Sequence, residues 1–483
     1  MIWKEYEQKL KELGYGESDV SAIKPAFEFA ETAHKNEKRM SGEPYFTHPV
    51  AVSLYVANLK LDSSAISASL LHDVVENQGI KIDSIKKEFG AQTAFLVEAV
   101  TKVDAIKYKG IEREVESLRR MFLALAEDIR VVAIKLMDRL HNMETLEFQE
   151  KEKQQRIATE TLELYAPLAD RLGMWEIKAK LEDLAFPYIN PEKFEWLKSQ
   201  VDEKRKQGTK FLEKLKPKLE YELKKDGVEP AKISYRTKHL YSIWKKLQKY
   251  EMDFGRILDI VAMRIIVRDV AECYKTLGVI HKLWRPLPGR IKDFIALPKP
   301  NGYQSLHTTV FGPEKNIIDF QIRTVEMDRE AEFGVAAHWV YKTPGANLRA
   351  NHPKKLEWVQ KLQEWYKEHK DSSQNEILSA LKIDFFKDRI FALTPKGDVI
   401  DLPDGATPID FAYHIHSEIG DRMFGAKVNG KMVSFGYKIR SGEMVEILTQ
   451  KNKNPTAEWL DDSKTSLAKN RIRSNLRKRG KIR

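Results

Sequence analysis

Two apolar, helix-patterned runs in the first third of the chain carry polar side chains that could bind a metal ion. LLHDVVEN presents His72 and Glu76 one turn apart with Asp73 beside them, and AIKLMDRLHNM carries Asp138. His48 precedes a proline that would begin a helix, in YFTHPV. Each of these residues alone is more often an ordinary core or surface side chain, but together they are costly to bury unless something binds them. Two histidines and two aspartates can close around a divalent ion of the manganese or iron type.

The elements that must position these residues are helices. From residue 1 to about 190, apolar residues recur at three and four positions, which predicts consecutive amphipathic helices and an all-α domain. Asn142 and Thr145 follow Asp138 at i+4 and i+7, so the three lie on one helix face.

A second set of residues could bind phosphate. SYRTKHLYSIWKKL carries Arg236 and a stripe of three donors, Lys238, Ser242 and Lys246, which the spacing places on one face of a helix. Such a stripe suits a triphosphate, although a solvated helix face is the commoner meaning of the pattern.

Two acids inside apolar, strand-like runs strengthen the phosphate interpretation. Asp259 lies in RILDIVAMR and Asp319 in IIDFQIRT, where carboxylates need a metal ion or a cation. Arg264 and Arg323 follow on the same runs, so a purely structural cluster of ion pairs is the alternative.

Between these runs, GRIKDFIALPKPNGYQSLHTTV places basic and polar side chains around Tyr303 in a loop bounded by proline and glycine. Basic groups for phosphate beside an aromatic ring for base stacking are what a nucleotide site requires. The surrounding side chains are Arg290, Lys292, Lys299, Asn301 and His307.

The remaining patterns divide the chain further. Apolar runs separated by Gly/Pro turns predict a mixed α/β domain from about 195 to 345, and a polar helical linker covers 346–385. Short strands around one helix predict a β-grasp-sized module at 386–450, and 451–483 is a basic tail. On charge alone, that tail is as consistent with a solvated or disordered segment as with RNA contact.

Composition sets broad limits. At 483 residues the chain has length for about three domains, and its net charge of +11 suits polyanionic partners. The single cysteine, Cys273, excludes an internal disulfide framework and fits a reducing, cytosolic compartment. No signal-peptide core and no apolar stretch of membrane-spanning length is present, so we expect neither export nor membrane insertion.

RMSGEPYFTHP, LLHDVVEN and KLMDRLHNMET together resemble the HD phosphohydrolase domain of the RelA/SpoT family. The resemblance implies that His48, His72, Asp73 and Asp138 hold Mn²⁺, which acidifies a water that attacks the 3′-pyrophosphate of (p)ppGpp. It also implies that Arg39 contacts phosphate, that Asn142 and Thr145 contact the nucleotide, and that Glu76 and Asn77 are catalytic.

PKPNGYQSLHTTV and EFGVAAHWVYK resemble the synthetase domain of the same family, which has a nucleotidyltransferase-like fold and transfers pyrophosphate from ATP to the 3′-hydroxyl of GDP or GTP. The resemblance implies that Arg236 and Arg264 flank adenine and that Tyr303 stacks on guanine. It further assigns Lys238, Ser242 and Lys246 to the ATP phosphates, Asp259 and Asp319 to catalysis and Mg²⁺, and Arg290, Lys292, Lys299, Asn301, His307 and Gln321 to GDP or GTP.

Two positions depart from the family pattern. Asn77 replaces the second member of an acidic pair, which would weaken hydrolysis if that position acts through its charge. Asp319 replaces a glutamate, and a displacement of about 1 Å at such a carboxylate can cost ~100-fold in rate. The RxKD sequence that contains Arg290 and Lys292 resembles the basic variant of bifunctional members.

LTPKGDVIDLPDGATPIDFAYHIHSEIG resembles the TGS domain, which implies contact with deacylated tRNA and the ribosome and makes His416 and Lys396 the residues to test. The alternatives are a module that only packs against the enzyme, or a degenerate regulator that binds RNA without alarmone chemistry. The sequence therefore predicts an all-α HD-type domain, an α/β synthetase domain and a β-grasp TGS domain in a bifunctional enzyme.

Overall fold

The computed structural model describes most of the chain, namely residues 1–104, 120–121, 124, 127–254, 257, 260–299, 302–334 and 389–480. The described residues up to 334 belong to one compact unit, and those from 389 onward belong to another. Asp259, Asn301 and the linker expected at 346–385 lie outside the described residues. Within the described ranges, no helix is long and apolar enough to cross a membrane.

In its described residues the first domain is built from helices, as the sequence predicted. Helix α4 lies at its centre, since seven of its nine residues are buried and it packs against α2, α3 and α6. A π-helical turn, Thr161–Tyr165, separates α8 from α9. The helices are α1 (Trp3–Glu12), α2 (Glu17–Ala33), α3 (Thr47–Asn58), α4 (Ser63–Leu71), α5 (Val74–Gln78), α6 (Ile82–Asp104), α7 (Ile129–Glu144), α8 (Lys151–Glu160), α9 (Ala166–Arg171) and α10 (Trp175–Ile189).

The expectation of one continuous helix through LLHDVVEN was wrong. Helix α4 ends at Leu71 and α5 begins at Val74, so His72 and Asp73 form the turn between them. The His72 ring bonds through Nδ1 to the carbonyl of Ser69, a group that would otherwise accept from the backbone N–H of residue 73 in a continuing helix (2.8 Å). The break turns both side chains toward the interior of the domain.

The second domain is a five-stranded mixed sheet with strand order β1-β2-β5-β4-β3. Strands β2 and β5 are parallel, and the other neighbours are antiparallel. The strands are β1 (Lys232–Thr237), β2 (Val261–Val267), β3 (Lys292–Asp293), β4 (Leu306–Phe311) and β5 (Ile317–Thr324). The helices are α11 (Pro191–Lys225), α12 (Leu240–Lys249), α13 (Val270–Leu283) and α14 (Val325–Phe333).

The two faces of this sheet differ completely in character. Successive strand residues point to opposite faces, so Ile318, Phe320 and Ile322 of β5 enter the apolar core beside α11 and α13. Asp319, Gln321 and Arg323 therefore share the other face. The register aligns polar residues of neighbouring strands with them, because Gln321 pairs with both Arg264 and His307, and Asp319 pairs with Thr309.

The prediction that three phosphate donors lie on one face of a helix was wrong for one of them, Lys238. Helix α12 begins at Leu240, so Ser242 and Lys246 lie one turn apart on it while Lys238 precedes it. The backbone N–H of Lys238 instead donates to the carbonyl of Ile260 (2.9 Å), which ties it to the start of β2. Arg236 lies on β1.

Gly334 marks a close approach of the sheet domain to the helical domain. It ends α14 with a φ of +58°, a conformation that favours glycine. A Cβ atom there would lie 2.2 Å from the carbonyl oxygen of Leu172 and 2.8 Å from the backbone nitrogen of Met174. The end of α14 and the turn before α10 are thus in backbone-to-backbone contact.

The C-terminal unit contains the strands expected of a β-grasp-sized module. A hairpin of β6 and β7 accompanies a sheet of order β10-β8-β9, and a parallel bridge joins Leu393 to Met444. The strands are β6 (Arg389–Leu393), β7 (Val399–Pro403), β8 (Met423–Val428), β9 (Lys431–Val433) and β10 (Val445–Thr449). The helices are α15 (Pro408–Ile415), α16 (Ser417–Asp421), α17 (Trp459–Asp462) and α18 (Ser466–Lys478).

The alternative of a solvated or disordered basic tail after residue 450 was wrong for its described part. Helix α18 packs Ala468, Ile472 and Leu476, all fully buried, into the same core as Ile409 and Tyr413 of the module. These three residues recur at every fourth position, so the helix buries one apolar stripe and exposes its basic residues.

Asp410 joins this C-terminal helix to the module. Its buried carboxylate accepts hydrogen bonds from the backbone N–H groups of Thr407, Lys464 and Thr465 at 2.8, 3.0 and 2.8 Å. The hydroxyls of both threonines also donate to it. One carboxylate thus holds the starts of α15 and α18 together.

We expect Asp410→Ala to destabilise the C-terminal unit by about 3 kcal/mol, because several buried donors lose their acceptor. Urea unfolding followed by hydrogen exchange of peptides within 389–480 measures the change. Asp461→Ala, at an exposed position on α17, is the control and should leave exchange unaltered. Equal protection in the two variants would contradict the role given to Asp410.

Candidate active sites

Three predicted metal ligands converge in the helical domain. Ligand atoms of His48, His72 and Asp138 all lie within 4.8 Å of one another, and the three residues are buried. The Oδ1 atom of Asp138 lies 3.2 Å from Nε2 of His48 and 3.9 Å from Nε2 of His72. Asp73 adjoins them, with carboxylate oxygens 3.3 Å from His72 and 3.6 Å from His48. The four residues come from α3, the α4–α5 turn and α7.

The hydrogen bonding of His72 fits a metal ligand. Its Nδ1 bonds to the carbonyl of Ser69, so Nδ1 carries the proton and Nε2 keeps a lone pair. That Nε2 atom is buried and has no hydrogen-bond partner among the described residues. Burial also lowers the pKa of His48, which favours the neutral imidazole that a metal binds. This donor set could hold a divalent ion.

Asp138 is kept ionised by its neighbours. Lys135, on the same face of α7, lies 2.5 Å from Oδ2, and the side-chain amide of Asn142 donates to Oδ1 (2.6 Å). Burial alone would raise the pKa of Asp138, but the Lys135 ammonium holds it well below its usual value.

The predicted phosphate and nucleotide residues lie beside this cluster. Arg39 donates to Oδ1 of Asn142 (3.3 Å) and to the hydroxyl of Thr145 (3.1 Å), which places all three together. Glu76 and Asn77 lie on exposed positions of α5, with Asn77 close to the hydroxyl of Tyr45.

Sequence reasoning missed two members of this site. His141 bonds through Nδ1 to Arg39 and to His48, each at 2.8 Å, and the Tyr45 hydroxyl donates to Asp73 (2.7 Å). Both residues fall inside the quoted motifs. His141 lies one turn after Asp138 on α7, which is the signal that could have identified it.

His72→Ala should weaken binding of a divalent ion by more than about 100-fold, since even the loss of a residue that only orients a ligand costs 10–100-fold. Isothermal titration with Mn²⁺ measures the affinity. His281→Ala is the matched control, because His281 bonds to Thr308 in the other domain. Undiminished Mn²⁺ binding by the His72 variant would show that the cluster is not a metal site.

A cavity of about 530 Å³ lies over the polar face of the sheet. Arg290 is exposed in the turn before β3 and is not among the described residues that line the cavity. The predicted residues that do line it are Arg236, Lys238, Ser242, Lys246, Arg264, Lys292, Lys299, Tyr303, His307, Asp319 and Gln321.

Hydrogen bonds hold the arginines of this cavity side by side. Gln321 accepts from Arg236 and from Arg323, each at 3.2 Å. Asp328, from α14, lies 3.5 Å from Arg264 and 3.3 Å from Arg323. Burial, followed by repulsion from Arg323, lowers the pKa of Arg264. Guanidinium groups packed this closely repel each other, so the cavity favours an anionic ligand.

Tyr303 is the centre of an aromatic and cationic cluster. Its hydroxyl hydrogen-bonds to Nε2 of His307 (2.9 Å), and Arg323 donates to the same hydroxyl (3.3 Å). Burial, with Arg323 and Lys299 nearby, lowers the pKa of His307 well below its usual value, so this imidazole is neutral. Burial also lowers the pKa of Lys299 to about 8.

Other cavity residues were not among the site residues predicted from the sequence. Asp328 and Glu332 lie on α14, while Trp175, Lys178 and Glu182 lie on α10 of the helical domain. Asp183, also on α10, accepts from the backbone N–H of Tyr241 (2.9 Å) and bonds to His239, so it caps α12 from outside the sheet domain.

The C-terminal unit places His416 at the start of α16. Its Nδ1 accepts from the backbone N–H of Glu418 (3.2 Å), so the ring caps that helix while it remains exposed. Lys396 lies exposed in the β6–β7 turn.

Comparison with known proteins places domain families along the chain in the predicted order. An HD domain matches residues 26–175, a region found in RelA/SpoT proteins matches 235–346, and a TGS domain matches 390–449. Among solved structures, small alarmone synthetase 2 from Bacillus subtilis is 24% identical and covers 36% of this chain and 98% of its own, at a TM-score of 0.25. That score is too low to support an argument about the fold.

Curated relatives match most of the chain. A guanosine-3′,5′-bis(diphosphate) 3′-pyrophosphohydrolase from Aquifex aeolicus is 47% identical over 94% of this chain and 64% of its own length. A GTP pyrophosphokinase from Myxococcus xanthus is 45% identical over 94% of this chain and 60% of its own length. The bifunctional (p)ppGpp synthase/hydrolase SpoT from Escherichia coli is 42% identical over 95% of this chain and 65% of its own length. The chain thus spans less than two thirds of these relatives' lengths, and it contains an HD domain, a region found in RelA/SpoT proteins and a TGS domain.

Proposed function

We propose that the chain both makes and hydrolyses (p)ppGpp, at two separate sites within its first unit. The observation that carries the proposal is the coexistence of a buried divalent-metal cluster beside Arg39 and a cationic cavity that contains Tyr303. The names of the relatives, which include a pyrophosphohydrolase, a pyrophosphokinase and a bifunctional enzyme, support one site for each reaction.

In the hydrolase site, His48, His72, Asp73 and Asp138 would hold Mn²⁺. The bound ion would supply an acidified water and would neutralise phosphate charge. Arg39 binds the 3′-pyrophosphate, while Asn142 and Thr145, which already hold its guanidinium, contact the nucleotide. Glu76 lies on the exposed side of α5, where it can orient the attacking water.

In the synthetase site, the 3′-hydroxyl oxygen of GDP or GTP bonds to the β-phosphorus of ATP, the bond to the α-phosphate oxygen breaks, and AMP leaves. Arg236 and Arg264 flank adenine, and Tyr303 stacks on guanine. Asp319, held by the hydroxyl of Thr309 (2.9 Å), receives the hydroxyl proton or binds Mg²⁺. Lys238, Ser242 and Lys246 bind the ATP phosphates, Asp259 binds Mg²⁺, and Arg290, Lys292, Lys299, Asn301, His307 and Gln321 bind the acceptor nucleotide.

The two departures from the family pattern favour opposite reactions. Asn77 lies near Tyr45, whose hydroxyl donates to Asp73, so an amide there changes the charge close to the metal cluster. Asp319 keeps its carboxylate on the polar face of β5 but is shorter than glutamate. Asn77 favours a bias toward synthesis, and Asp319 favours a bias toward hydrolysis.

A second proposed role concerns RNA and rests on α18. The helix exposes Arg471, Arg473 and Arg477 outside its buried stripe. Together with His416, this basic surface suits deacylated tRNA on a ribosome, and its affinity should fall steeply with salt concentration. A cytosolic location would agree with these partners.

Purified protein, incubated with ATP and GDP and separately with ppGpp and Mn²⁺, tests the main proposal. We expect both reactions, with Tyr303→Ala slowing synthesis by at least about 10-fold because a base loses its stacking partner. His72→Ala should abolish hydrolysis and leave synthesis intact. The absence of turnover in both assays, or equal loss of both in either variant, would exclude two independent sites.

The lowered pKa of Lys299 predicts a pH dependence for acceptor binding. The amine is charged below its pKa of about 8 and neutral above it, so its attraction for the GDP diphosphate is lost as pH rises. If only the charged form binds well, the affinity for GDP should fall by roughly 10-fold between about pH 7 and pH 9. The lowered pKa of Lys299 also makes folding depend on pH. Above pH 8 the folded chain has lost the Lys299 proton while the unfolded chain still keeps it, so the free energy of unfolding rises with pH there.

Fluorescence or calorimetric titrations with GDP across this pH range measure the effect. Lys299→Met should bind GDP weakly at every pH with a flat profile. An equally steep profile in that variant would assign the titration to another group.

A further inference from the structure

An aromatic side chain from the helical domain lies beside Tyr303. Trp175 begins α10, and its ring centroid lies 5.6 Å from that of Tyr303 at an interplanar angle of 63°. Lys178, which donates to Asp170 (2.9 Å), lies 5.1 Å from the Trp175 ring and braces it from the next turn. Both aromatic rings line the 530 Å³ cavity, so the helical domain and the sheet domain each contribute aromatic surface to it.

The ammonium group of Lys299 lies among these rings. It is 4.9 Å from the ring centroid of Trp175, 5.1 Å from that of Tyr303 and 4.9 Å from that of Phe294. Contact with aromatic faces offsets part of the cost of burying the charge. A diphosphate would attract this amine more strongly than the rings do, and the space that the amine leaves is bounded by aromatic surfaces.

We propose that Trp175 is a binding residue for the base of the acceptor nucleotide and forms a two-sided aromatic slot with Tyr303. The inference rests on the proposed function. A purine stacked on both rings needs centroids about 7 Å apart, which is twice a carbon–carbon contact of ~3.5 Å. The two rings, now 5.6 Å apart and inclined at 63°, must therefore separate and rotate towards parallel as the base enters and Lys299 turns toward the phosphates.

The surroundings of Trp175 assign it to the acceptor rather than to ATP. Its ring contacts Tyr303 and Lys299, which belong to the acceptor side of the cavity. The residues proposed for the ATP phosphates, Ser242 and Lys246, lie on α12. A change at Trp175 should thus alter the apparent affinity for GDP and spare that for ATP.

Steady-state synthesis by Trp175→Ala and Trp175→Phe in the full chain tests the proposal. We expect the alanine variant to raise the KM for GDP by about 10-fold, with the KM for ATP unchanged, because stacking on an aromatic ring is lost. Phenylalanine should restore the KM to within about 3-fold of the starting value, since it retains a stacking face. Trp196→Phe, at a half-exposed tryptophan on α11, is the control and should match the unaltered chain.

A direct binding measurement separates this inference from the proposed function. GDP should quench tryptophan fluorescence in the unaltered chain and in Trp196→Phe, and should quench less in Trp175→Phe. Inorganic pyrophosphate, which has no base, should bind the alanine variant and the unaltered chain equally. If the unaltered chain binds GDP but makes no ppGpp, the synthetase proposal fails while the quenching result still decides the role of Trp175.

Three results would overturn the inference. One is an unchanged or lowered KM for GDP in Trp175→Ala, which would mean that the indole is only structural or covers the site. Another is equal quenching by GDP in the Trp175 and Trp196 variants. The third is a parallel rise in the KM values for GDP and ATP, which would indicate a general disturbance of the cavity.

Discussion

Burying a charged side chain costs several kcal/mol unless an opposite charge or a hydrogen bond lies close to it, and both sites of this protein are built from buried charges. In the helical domain, Lys135 and Asn142 hold the two oxygens of Asp138. In the sheet domain, aromatic rings surround the Lys299 ammonium. Each arrangement offsets part of the cost of burying the charge, and a ligand of opposite charge can offset more of it.

The strand register explains how one short segment serves both stability and chemistry. Along β5, Ile318, Phe320 and Ile322 fill the core, so every alternate side chain must face the cavity. A shift of one residue would bury Asp319 and expose the apolar set, which makes the register strongly specified. The polar face is therefore held in place by the packing of the apolar face behind it.

Much of this arrangement can be predicted from the sequence, because the residue patterns that indicate it are local. The helical period, the acids within apolar runs and the basic loop around Tyr303 all predict elements or neighbours that the structure contains. The roles of the individual site residues stay predictions, and Asp259 and Asn301 lie outside the described residues.

Prediction from the sequence failed where tertiary contacts determine the structure. Nothing near Trp175 or Asp328 marks them as cavity residues, since neither residue lies within a recognised motif. The break after Leu71 depends on a side-chain bond to a helix carbonyl, which helical periodicity cannot reveal. In the basic tail, the stripe of Ala468, Ile472 and Leu476 was obscured by the surrounding charges, although the core of the module buries it.

The contact at Gly334 has a consequence for the dimensions of the cavity. Because two backbones meet there directly, the spacing between α14 and the turn before α10 does not depend on any side-chain rotamer. Trp175 follows that turn immediately, while Asp328 and Glu332 lie on α14, so this contact sets the spacing between two helices that both line the cavity. A methyl group at position 334 would act as a spacer, altering the fit of a nucleotide without touching it.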